Sequence, residues 1–169
     1  MSKISPQILP ERTLKMDPAA LRKRLGIESD IIADQMPQFK LHQNNGKWYF
    51  KGWSPDAYDS ERYHLTLGIP SHYPDQMPLL YVTYPRILSK FQNRGAVNDH
   101  ENSHDFHTGS NGSEGCVQIC HFNSDTWDAS STCVGVFMKG VLWWMAYEMH
   151  LLNGKTINEN LIILKERQE

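Results

Sequence analysis

The sequence is short of cysteine, of excess charge and of long apolar runs. Its three cysteines are an odd and sparse count, which excludes a disulfide scaffold and points to a reducing, cytoplasmic setting. Lys and Arg total 17 against 19 Asp and Glu, a net charge of -2 with both signs interspersed. No basic face is therefore offered to nucleic acid or to an anionic membrane surface. No run is long or clean enough to span a bilayer, and no apolar segment opens the chain. Repeats, low-complexity tracts and interdomain linkers are missing too. What remains is a single domain over residues 1–169, enough chain to bury a core.

What is present changes period along the chain. Residues 1–15 carry prolines and no period, and read as an N-terminal arm. Asp17-Pro18 is a helix start, the carboxylate capping free amides and proline fitting the first turn. Leu21, Leu25, Ile32 and Met36 recur at helical spacing up to Pro37, with Gly26 a point where the helix could divide. From Phe39 the period becomes two. Phe39 and Leu41 open a strand, Asn44-Asn45-Gly46 is a hairpin turn, and Trp48, Phe50 and Gly52-Trp53 form the return. A turn across Ser54 to Ser60 leads to Tyr63, Leu65, Leu67 and Ile69; a bend from Pro70 to Pro78 leads to Leu79 to Tyr84 and a stop at Pro85. The expectation is four antiparallel strands in a meander.

Arg86 to Gly115 then breaks the pattern with Asn, Ser, Gly, Asp and His, a long loop of the kind that is usually functional or mobile. It delivers Gly115-Cys116-Val117-Gln118-Ile119-Cys120-His121, with Trp127 beyond. Ser130, Ser131 or Thr132 caps a helix running to Asn153 and closed by Gly154. Its apolar residues, from Val134 to Leu152, cover most of its circumference, so it is expected to be buried against the sheet. Gly135 and Gly140 suggest that another backbone comes close. A last helix or strand covers Leu161 to Leu164. The fold class is α+β.

A thiol between an extended segment and a helix can be partly exposed, as a nucleophile must be. Against this stands the frequent burial of free cysteine as a small apolar residue.

The order helix, meander, cysteine-bearing loop and buried helix resembles the ubiquitin-conjugating enzyme (UBC) fold. Tyr63 to Leu67, then Tyr73-Pro74-Asp75-Gln76-Met77-Pro78, then Leu79 to Val82 is similar to that family's strand, Tyr-Pro-x-x-x-Pro bend and strand. Ile119-Cys120-His121-Phe122 followed by Trp127 is similar to its active-site cysteine segment. Trp144 to Glu148, with Leu151 and Gly154, resembles a bacterial branch, the conjugating enzymes of cyclic-oligonucleotide anti-phage (CBASS) operons. The resemblance covers most of Met36 to Gly154.

It implies trans-thioesterification. A partner protein's C-terminal carboxylate is carried as a thioester on Cys120 and passed to an amine, with no cofactor on this chain. In the CBASS branch that partner is the operon's nucleotidyltransferase, the cyclic oligonucleotide synthase. This chain has no activating domain, so a separate activating enzyme is also implied. The family's upstream His-Pro-Asn is missing; His107, Asn111 and Asn123 are the candidates to stand in. Cys116 follows its glycine as the family cysteine does, but lies too far from Trp127, so Cys120 is preferred and Cys133 is read as helix packing.

His100, His104 and His107 with Cys116 and Cys120 also admit a zinc reading, opposed by a polar, floppy setting and the lack of a second cysteine pair. His121 could act as a base or orient its loop, but neighbours in an extended segment point opposite ways, which disfavours direct pairing with Cys120. Asp125 and Asp128 are candidates to deprotonate an incoming amine. A catalytically inactive binding module of the same fold is the alternative.

Overall fold

A computed structural model describes residues 17–54 and 63–167. The expected arm over 1–15 and most of the turn from Ser54 to Ser60 lie outside the described residues. Helix α1 (Pro18–Gln35) begins where Asp17 accepts a hydrogen bond from the Ala19 amide at 3.2 Å. It is continuous through Gly26, because nothing packs against that position and the turns on either side supply the helical bonds. Its buried residues are Leu25, Ile32 and, unexpectedly, Glu28.

The meander consists of β1 (Lys40–Asn44), β2 (Lys47–Trp53), β3 (His64–Ile69) and β4 (Leu79–Tyr84), all antiparallel neighbours in chain order. The expected count of four strands is one short. The segment leading to Cys120 adds β5 (Gln118–Ile119), pairing Ile119 with Leu80 and Gln118 with Tyr81. The Val82 amide extends the ladder by donating to Val117 O at 2.9 Å. Val117 and Ile119 are fully buried there, which is what their alternation signalled. Two residues are too few for the strand to stand out in sequence.

Helix α2 (Cys133–Asn153) crosses the sheet. Thr132 caps it through the Gly135 amide, and Gly154 ends it in the left-handed region at φ 73°. Gly140 allows the close approach that its helix cost suggested. A Cβ there would lie 2.5 Å from Leu80 Cδ2, so the tight neighbour is a strand side chain and not a backbone. Gly135 meets only the hydroxyl of its own cap, Thr132, and makes no such contact. Phe137 stacks on Phe39 at 3.9 Å, and Trp144 and Tyr147 pack their edges against Tyr63. The helix is not buried all round: Met138, Met145 and Leu152 are exposed, on a face that the long apolar run had masked in sequence. The last element is helix α3 (Ile157–Glu166), started by a Thr156–Glu159 capping box and packed on α2. Among the described residues no helix is long and apolar enough to cross a membrane.

The long polar loop is built, not floppy. Three short 3-10 turns punctuate it, and buried Asn98 joins its two ends. Asn98 Nδ2 donates to Arg86 O and Gly115 O, both at 2.8 Å, while its Oδ1 accepts from the Leu88 amide at 2.9 Å. Residues 107–112 then run back along β5 and the flank of the sheet. Gly112 is required there, since a Cβ would lie 2.6 Å from the Tyr81 ring.

Candidate functional site

The cysteines separate by exposure. Cys133 is fully buried and Cys116 nearly so, whereas Cys120 is exposed. Burial pushes the Cys133 thiol up, as does nearby Glu28, and its Sγ lies 3.4 Å from the Tyr73 hydroxyl. Burial likewise raises Cys116, which Arg86 only partly offsets. A thiol held protonated and covered is a poor nucleophile, so the geometry leaves Cys120. Cys116 and Cys120 sit at the two ends of an extended segment, about 13 Å apart at ~3.3 Å per residue, too far to share a disulfide or one metal ion. Among the described residues no three His, Cys, Asp or Glu side chains are arranged to hold a metal.

Cys120 follows β5 directly, and its amide donates to His107 O at 2.9 Å. Thr108 and Ile119 form a bridge next to it, and the Gly109 amide donates to Gln118 O at 2.9 Å. His107 therefore stands across the ladder from Cys120. It takes a positive φ of 47°, uncommon for a residue with a Cβ. Its Nε2 lies 2.8 Å from Asn158 Oδ1 on α3, and its ring is 5.5 Å from that of His104.

Asn111 is not brought to Cys120. The return strand carries it towards Cys116, where the Gly112 amide bonds Cys116 O. Its Nδ2 donates to Asn98 O at 2.7 Å and its amide to Glu101 at 2.6 Å, so it fixes the loop and is not free to meet a reacting carbonyl. Asn123 is likewise engaged, accepting from the Asp125 amide at 3.2 Å.

His121 turns away from Cys120 into the protein, as alternation requires. It is buried, and its Nε2 is 2.9 Å from Pro78 O. A carbonyl can only accept, so Nε2 carries the hydrogen. Burial depresses the ring to about 4, with the Pro78 bond opposing and Lys139 assisting. It is neutral near pH 7 and anchors the loop; its Nδ1 is buried without a partner. A base role towards Cys120 does not fit this placement. Asp125 and Asp128 are exposed, and Ser130 occupies Asp128 through its hydroxyl and amide, holding that carboxyl below its ordinary range.

The two segments that prompted the resemblance meet in space. Trp127 Nε1 donates to Pro74 O at 2.7 Å, His121 donates to Pro78 O, and the Tyr73 and Trp127 rings lie 6.3 Å apart. No family model matches this chain, and no curated protein does.

Sequence reasoning missed two groups around this site. Asn158 had no signal, since a lone Asn in a short helix is unremarkable. Glu28 could have been suspected, as a carboxylate three positions after Leu25 and four before Ile32 on the apolar side of α1. It accepts from Tyr73 OH at 2.5 Å, from Arg24 at 2.9 Å and from the Cys133 amide at 2.9 Å, so it joins α1, the Tyr73 bend and the start of α2. Arg24 in turn donates to Ala129 O and Ser131 O, both at 2.9 Å.

A cleft of about 1060 Å³ opens elsewhere, lined in part by Leu21, Trp48, Tyr49, Ile69 and Tyr81. Cys120 does not line it.

Proposed function

We propose that this chain is a ubiquitin-conjugating-like acyl carrier that forms a thioester on Cys120 with the C-terminal carboxylate of a partner protein and passes it to an amine. The observation that carries the reading is that Cys120 is the exposed thiol at the end of β5, on a loop hydrogen-bonded to both prolines of the Tyr73–Pro78 bend. Those are the two segments whose sequence resembles the family. An exposed thiol outside the cleft suits an acyl donor that is itself a protein tail and brings its own binding surface.

In the reaction, the Cys120 thiolate attacks the activated carboxyl carbon, the activating group leaves, and a C–S bond replaces it. An amine then attacks the thioester carbonyl, the C–S bond breaks, and the thiolate leaves as an amide forms with loss of the amine proton. Activation of the carboxylate falls to a separate enzyme. The partner this reading favours is a CBASS nucleotidyltransferase, which places the chain in bacterial anti-phage defence.

Asn111 and Asn123 are both occupied elsewhere, so neither supplies the amide that the family places by its cysteine, and this favours the second reading, a binding module without activity. Co-expression with a CBASS nucleotidyltransferase and its activating enzyme separates the two. The carrier gives a thiol-sensitive adduct that is lost in Cys120→Ala, converted to a thiol-resistant oxyester in Cys120→Ser, and retained in Cys116→Ala. An adduct unchanged in Cys120→Ala refutes the mechanism, and a stable complex without any adduct supports the module.

A further inference from the structure

We propose that Asn158 of α3 is a positioning residue for His107, and that the two form with Cys120 a relay that generates the thiolate. It rests on Cys120 being the nucleophile of the preceding reading, though not on which acyl group the thiol carries.

The chemistry follows from what each atom can do. Asn158 Oδ1 accepts only, so the 2.8 Å contact assigns the hydrogen to His107 Nε2 and leaves Nδ1 as the ring's basic lone pair. The Cys120 amide bonds His107 O at 2.9 Å, which sets the two residues against each other across the ladder. In the proposed step the Cys120 S–H proton passes to His107 Nδ1, giving thiolate and imidazolium. Nε2–H stays on Asn158 throughout, and the bond strengthens as the ring becomes charged. The proton returns to sulfur, or goes to solvent, after the acyl group has left.

The turn that carries His107 is held from both helices, as a preorganised group needs to be. The Asn158 amide donates to Asp105 O at 2.9 Å, so this one residue grips the turn twice. Trp143 Nε1 of α2 donates to Phe106 O at 2.9 Å. These bonds keep His107 at its positive φ, a conformation that surrounding structure must impose. The titratable groups about the ring are few. His104 and Asp105 share its turn, and the Cys120 thiol faces it from β5. From α3 the contact is neutral, with Glu159 turned back onto Thr156.

The test measures the rate of Cys120 alkylation by iodoacetamide against pH in the full chain, with the modified peptide mapped by mass spectrometry. It needs no acyl partner, so its outcome is independent of whether an adduct is ever found. Wild type is expected to titrate below an unassisted thiol. Asn158→Ala and His107→Gln should each raise the midpoint and slow alkylation near neutral pH by about tenfold, the effect of one pH unit on the thiolate fraction. Asn158→Asp keeps the acceptor oxygen and should restore or exceed the wild-type rate. A tether that merely holds α3 would lower the melting temperature of Asn158→Ala and leave the pH profile where it was. Superimposable profiles in wild type and either Asn158→Ala or His107→Gln overturn the proposal. If Asn158→Ala fails to fold, His107→Gln decides alone.

Discussion

Lowering the pH should weaken this protein through His121, and the size of the effect can be worked from its surroundings. The ring is buried with Nε2–H on Pro78 O, and burial depresses it from an ordinary 6.5 to about 4. The unfolded chain therefore binds a proton through a range in which the folded chain does not. Stability from this group is complete above pH 6.5 and is lost progressively as pH falls towards 4. One group with those two values destabilises the fold by about 2 kcal/mol at about pH 5 and about 3 kcal/mol at about pH 4, relative to neutral pH. His121→Gln keeps an amide hydrogen for Pro78 and removes the titration. Urea unfolding of both proteins across that range is the assay. The wild type should lose about 2 kcal/mol more than His121→Gln between neutral pH and about pH 5. His64, also lowered by burial, contributes to both curves and cancels. Parallel curves for the two proteins would refute the argument, because they would mean that His121 can charge without leaving its site.

Other expectations concern the framework. Glu28→Ala removes the shared acceptor of Tyr73, Arg24 and the Cys133 amide and should cost about 3–5 kcal/mol by chemical denaturation, with Glu28→Gln costing less. Asn98→Ala leaves the Leu88 amide and two loop carbonyls short of a partner and should cost at least about 2 kcal/mol, together with faster hydrogen exchange in the 86–115 loop. Gly140→Ala forces Leu80 aside and should cost about 1–3 kcal/mol of overpacking, only partly offset by helix propensity. Cys120→Ala, at an exposed site, should change thermal stability by less than about 0.5 kcal/mol, so any lost adduct reports chemistry and not folding.

Much of the scaffold was legible in the sequence because its causes are local. Asp17 caps α1, Thr132 caps α2 and Gly154 ends it, each through bonds spanning at most four residues. The meander follows from period-two stretches separated by turn residues, and the bias towards Cys120 from an alternation that buries Val117 and Ile119 and turns the next residue outward. What only the tertiary structure decided are contacts between positions far apart in the chain. The fifth strand exists because β4 offers an edge to a pair of residues with little strand character of their own. Glu28 is tolerable in the core because an amide 105 positions away and a tyrosine 45 away satisfy it. His121 and Asn111, equal candidates by residue type, became an anchor and a loop clamp once Pro78, Asn98 and Glu101 were in place. His107 faces Cys120 and meets Asn158, 51 positions on, only when β5 has paired and α3 has docked. Caps and periods can be read from neighbours in the chain, whereas a polar side chain's role depends on which donors and acceptors folding brings to it, and no local pattern records that.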